Sequence, residues 1–199
     1  MTRLRSLFLV PLLAAGLCLF ARGAHAQLVV TGPATPVSHS LTLWFEHHIP
    51  ARFQARGRFE VNPLNDSEME AYLQTGDSDQ DQNSHADDGE IDGIFEDNPA
   101  RITLRIPDTG QPDIYTFAHE YGHYVWFKLL SKDDQKRYEA IYKKQKAAHH
   151  LVTRYAATDV EEGFAEAFSF YANEPPLLLH RDALSYQFLR QWPALPDAL

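Results

Sequence analysis

An α+β fold is expected, with a small sheet that has an edge strand and packs against a candidate metal-binding helix and further helices. Three observations predict it. Residues 100–106, ARITLRI, alternate polar and apolar side chains, the period of a half-exposed strand. Beyond Pro107, three segments each open on a helix-start signal. Finally, TFAHEYGHYVWF at 116–127 sets two histidines four residues apart, with a glutamate beside the first.

The N-terminus reads as a leader. Arg3 and Arg5 precede an uncharged apolar run from Leu7 to Phe20, and Ala24-His25-Ala26 offers the small-x-small pattern that a signal peptidase cuts. This predicts a cleaved signal over 1–26, a single domain over 27–199 and a secreted or periplasmic location. The run is too short for a membrane span, which takes about 20 residues. The only cysteine, Cys18, lies in the leader. Stability therefore comes from packing rather than disulfides, and any metal is held by histidines and carboxylates.

Residues 27–38, with Gly32, Pro33 and Pro36, read as an extended lead-in. The apolar and aromatic stretch 41–53, LTLWFEHHIPARF, fits a strand or a short helix broken near Pro50. Residues 58–101 carry 13 acids and no lysine or arginine between their ends. Their centre, GDSDQDQNSHADDGEIDG, is rich in turn formers and predicts a long solvated loop. A first helix is expected from near Pro112 to Leu130. A second follows, with Ser131 as N-cap and Asp133 and Asp134 in its first turn, and runs to near Ala148. A third has Asp159 as N-cap and Glu162 at capping-box spacing, and Pro175-Pro176 ends it. A last amphipathic helix covers 182–192.

Charge narrows the partners. Loss of the leader removes Arg3, Arg5 and Arg22 and no acid, taking the formal charge from −9 to about −12. Phosphate backbones and anionic lipid heads repel such a chain, so neither nucleic acid nor a membrane surface is an expected partner. Cations suit it better.

On a helix, His119 and His123 project from one face about a turn apart, which lets two imidazoles hold one zinc ion. Glu120 stands one step round, within reach of a water on that ion. Gly122 leaves room for a neighbouring element. A zinc site that does chemistry keeps a third protein ligand, and VEEGFAEAFSFY at 160–171 offers Glu162, with Glu166 one turn later on the same face. One carboxylate would ligate while the other holds the free ring N–H of a ligating histidine. Two alternatives stand beside this. Glu162 also fits as a capping-box acid for its own helix. Glu161 is a competing ligand by proximity, although it lies off the Glu166 face.

HEYGH at 119–123 and YAATDVEEGFAEAF at 155–168 together resemble the gluzincin zinc metallopeptidases. Within that group they are most similar to the catalytic domain of anthrax lethal factor and to secreted Pro-Pro endopeptidases. The resemblance covers about residues 100–173. It implies one Zn2+ bound by His119, His123 and Glu162, with Glu120 as general base and Glu166 orienting a ligand histidine. Tyr155, seven residues before Glu162, would be the hydroxyl that supports the oxyanion or the leaving amine. It further implies a peptide or protein substrate, taken by β-addition to the strand at 100–106.

Calcium is not an expected cofactor. Asp77, Asp79 and Asp81 alternate like the early ligands of a calcium loop, but Gln82 stands where the glycine belongs and Asp88 where the glutamate does. The pairs His47-His48 and His149-His150 are adjacent residues, which point apart on a helix or a strand. Trp44, Trp126 and Phe127 are expected in the core.

Overall fold

The computed structural model describes residues 27–31, 36–54, 58–75, 84–87, 90–107 and 110–193. The leader expected at 1–26, Asp77, Asp79 and Asp81, and residues 108–109 lie outside them.

Five strands form one mixed sheet: β1 (Gln27–Val30), β2 (Arg58–Leu64), β3 (Ser84–Asp87), β4 (Glu90–Asp97) and β5 (Ala100–Arg105), in the order β1-β2-β5-β4-β3. The first three in that order run parallel, while β4 is antiparallel to both β5 and β3. The edge position expected for ARITLRI is corrected: β5 is central, with Ile102 opposite Val61 on one side and Phe95 on the other. Its alternation reflects two covered faces rather than one wet face. Ile102 and Leu104 are fully buried in the aromatic core, whereas Arg101 and Arg105 meet side chains of α2 (Asp66–Thr75). The edges are β1 and β3.

The acidic segment supplies β2, α2, β3 and β4; the loop expected for its centre is corrected at β3 and the start of β4, while 76–83 and 88–89 lie outside the described residues. The segment's charge is offset from β5. Arg105, 8% exposed, reaches Asp66 at 3.2 Å, Glu70 at 3.1 Å and Asp92 at 3.4 Å. Arg101 holds Glu96 with two bonds of 2.7 and 2.8 Å. Burial works against the ionised Glu96, but Arg101 and the Tyr72 hydroxyl keep its pKa below the ordinary value.

The ambiguous stretch resolves as α1 (Pro36–His48) and a 3-10 turn at Ala51–Phe53, and the lead-in becomes β1 and the start of α1. Leu41, Trp44 and Phe45 fall at helical spacing on its buried face, where Phe45 meets Tyr121 edge-on at 5.1 Å. His47 and His48 bond through Nδ1 to the carbonyls of Leu43 and Trp44, at 2.7 and 3.0 Å, so both are occupied in the last turn.

The remaining helices are α3 (Ile114–Tyr124), which widens into a π-turn at Val125–Leu129, α4 (Lys132–Ala148), α5 (Val160–Asn173), α6 (Pro175–Arg181) and α7 (Ala183–Gln191). Asp113 rather than Pro112 starts α3, accepting the Tyr115 N–H at 2.8 Å. Ser131 and Asp134 form the capping box that opens α4. Pro175-Pro176 ends α5 only by starting α6, because a first helical turn needs no N–H from proline. No described helix is long and apolar enough to cross a membrane.

Candidate metal centre

Two helices, α3 and α5, bring the candidate ligands together, and their approach depends on one glycine. A Cβ at Gly122 would stand 2.8 Å from the Cα of Ala165 and 3.1 Å from its carbonyl oxygen. Only glycine allows α3 so close to α5. The turns that carry the candidate ligands therefore meet.

At that meeting the Nε2 atoms of His119 and His123 lie 3.1 Å apart. Oε2 of Glu162 is 3.1 Å from the first and 3.7 Å from the second. Atoms held about 2.0–2.1 Å from one tetrahedral zinc lie roughly 3.3–3.4 Å from one another, so this triangle fits a single ion. All three side chains are buried. Glu162 Oε2 is buried and faces both histidine nitrogens, an arrangement that a cation held between the three would stabilise. Two imidazoles and one carboxylate form a donor set suited to zinc.

The same distances decide the Glu162 alternatives. Asp159 caps α5 by itself, its carboxylate accepting the N–H groups of Glu161 and Glu162 at 2.9 Å each. The Glu162 carboxylate points instead to the histidines. Glu161 does not join the three-residue group.

Glu166 stands behind His119, with Oε1 3.1 Å from Nδ1. Its other oxygen accepts the Thr153 hydroxyl at 2.6 Å, and Thr153 Oγ1 in turn accepts the Ala156 N–H at 3.0 Å. The sequence reading did not single out Thr153, because no local spacing ties this loop residue to a helix it precedes. Tyr155 lies in a 3-10 turn at Tyr155–Ala157, half-buried, its ring centroid 5.8 Å from that of His119. Glu120 is completely buried on the sheet side of α3, where β4 passes over it at Gly93.

The electrostatics follow from this packing. Burial disfavours a charged His119, but the carboxylates of Glu162 and Glu166 outweigh it and push its pKa up to about 10. Burial pushes His123 down and so favours its neutral, ligating form. Burial also opposes an ionised Glu162, yet the two histidines hold its pKa well below the carboxylate range. The Tyr155 hydroxyl is pushed up by burial and then by the charge and hydrogen bond of Glu162, with Glu120 and Glu166 adding to it. It remains an O–H donor at any ordinary pH.

The expected core position of Phe127 is corrected. One residue beyond buried Trp126, in the π-turn, it is 38% exposed and stacks on Phe95 at 6.1 Å and beside His123 at 6.5 Å. The metal helix thus ends in an exposed aromatic surface. A π-turn at a candidate site is a recurring association.

No protein-family model matches the chain, and no curated protein does. Among solved structures, it is similar to a Pro-Pro endopeptidase from Paenibacillus alvei, at 16% identity and a TM-score of 0.48. That likeness covers 82% of this chain and 96% of the other. At this level it assigns neither fold nor activity, so the functional reading rests on the metal centre and its sequence motifs.

Proposed function

We propose that the protein is an exported zinc-dependent metalloendopeptidase. The observation that carries this reading is the buried triangle of His119, His123 and Glu162 with Glu120 on the adjoining helical position. When bound, zinc would supply Lewis acidity, making a water molecule acidic and polarising a peptide carbonyl. His119, His123 and Glu162 would hold it. Glu120 would take the proton from the attacking water and deliver it to the departing amine nitrogen. Tyr155, kept protonated by its surroundings, would donate its O–H to the oxygen on which negative charge develops. Glu166 and Thr153 would keep the His119 ring turned so that Nε2 faces the ion.

Zinc content and turnover on a peptide library test this together. Glu120→Gln is expected to keep about one zinc and lose turnover, while Glu162→Ala loses zinc. Full activity in Glu120→Gln would sink the mechanism, and equal zinc in Glu162→Ala would remove Glu162 from the ligand set. Export is tested separately: intact mass of the protein recovered outside the cytoplasm should begin at Gln27. A retained leader there would refute the cleavage.

A further inference from the structure

The chain between α4 and α5 has two sets of neighbours. Toward the metal centre it offers Thr153 to Glu166 and Tyr155 to His119. It also borders a concavity of about 680 Å³, formed with the ends of α4 and α6. Lys146, His149, His150, Arg154, His180 and Arg181 line it, with no carboxylate among the described lining residues. On a chain of net charge −9, this is a strong local reversal. Asp182, which interacts with His150, turns its carboxylate inward to Gln145 at 2.6 Å and Ser185 at 2.7 Å.

Helix C-termini attract cations, and two end here. That accounts for Lys146, whose Nζ reaches the Ala157 carbonyl at 2.7 Å, and for Arg181, whose Nη1 reaches that of Val152 at 3.1 Å. It does not account for Arg154, which belongs to neither helix. Lys146, Arg154 and Arg181 carry like charge around one concavity, and an anion entering among them relieves their repulsion.

Building on the peptidase reading, we propose that this concavity is a substrate subsite for acidic side chains flanking the bond to be cleaved. Its volume falls in the roughly 300–1,000 Å³ range of pockets that enclose organic ligands, more space than a small ion fills. Leu151 and Val152 add apolar wall between the cations. Arg154 adjoins Tyr155 in the chain, so the lining of the concavity continues directly into the segment that borders the metal centre. Net charge alone favours cationic substrates, but close range is governed by the groups actually lining the contact.

The test uses zinc-loaded Glu120→Gln protein, which binds substrate without turning it over. Labelled hexaglutamate should bind at least about tenfold more tightly than hexaglutamine, and weaken with salt. Arg154→Ala combined with His180→Ala should cost about tenfold in hexaglutamate affinity, with zinc content and melting temperature reporting that the fold is intact. In the active protein the same pair should raise KM for acid-flanked peptides and leave KM for neutral ones in place. Equal binding of the two peptides, or no loss in the double variant, overturns the subsite. So does displacement of hexaglutamate by an equal concentration of inorganic phosphate. Zinc content and turnover on neutral peptides are read independently, so failure of the subsite is distinguishable from failure of the peptidase reading.

Discussion

Gly122 and Ala165 touch backbone to backbone: a Cβ on the first would stand 2.8 Å from the Cα of the second. Neither helix can yield without moving a candidate ligand, because Gly122 lies between His119 and His123 and Ala165 between Glu162 and Glu166. Gly122→Ala gains about 1 kcal/mol of helix propensity. Overpacking against a backbone costs about 1–3 kcal/mol. A net loss of stability in urea unfolding is expected, together with weaker zinc binding. Unchanged stability would mean that α3 and α5 separate freely.

Gly93 on β4 stands against Glu120 in a different way. A Cβ there would lie 2.6 Å from Thr116 Cγ2 and 2.8 Å from Glu120 Cγ. Both belong to side chains rather than backbone, so Gly93→Ala should disturb the fold less than Gly122→Ala and leave the zinc in place. The Glu120 carboxylate would move instead. A fall of about 10–100-fold in kcat with normal zinc content is the expected result. Wild-type kcat would show that the position of Glu120 does not depend on β4.

The Thr153–Glu166–His119 chain predicts a graded pair of variants. Glu166→Gln removes the charge that orients His119 Nδ1–H and should weaken zinc by about 10–100-fold in competition with a chelator. Thr153→Val removes only the hydroxyl at 2.6 Å and should weaken it less than Glu166→Gln does. The reverse order would place Thr153 closer to the metal's needs than Glu166.

Zinc binding should release protons. The His119 pKa is raised from 6.5 to about 10, so without an ion the site holds a proton at pH 7–8. A ligating Nε2 must be free of it. Calorimetry in two buffers of different ionisation enthalpy should report about one proton released per zinc. Affinity should rise with pH until about 10. For the metal-free protein the sign reverses. The stability contributed by the raised pKa is fully present below 6.5 and is lost as pH rises through about 10. Zinc binding without proton release would show that Glu162 and Glu166 do not hold His119 charged.

Local signals settled much of this protein in advance. The Ser131 and Asp159 caps, the shared face of His119 and His123, and the one-turn offset of Glu162 and Glu166 all depend on residues within a few positions of one another. Helical geometry converts such spacings directly into direction. Composition in turn restricted any metal site to histidines and carboxylates, because the only cysteine is Cys18.

Tertiary structure decided what spacing left open. Glu162 could cap or face the histidines until α5 met α3; Asp159 takes the cap and the Glu162 carboxylate turns to His119. The acidic segment reads as solvated because its cations, Arg101 and Arg105, lie on a strand beyond it in sequence. The pattern of β5 fits an edge or a centre equally, since alternation says that two faces differ but not what covers each. Thr153 and the basic concavity arise from residues of α4, α6 and the intervening loop. Pairing across sequence distance is set by packing, and no local period records it.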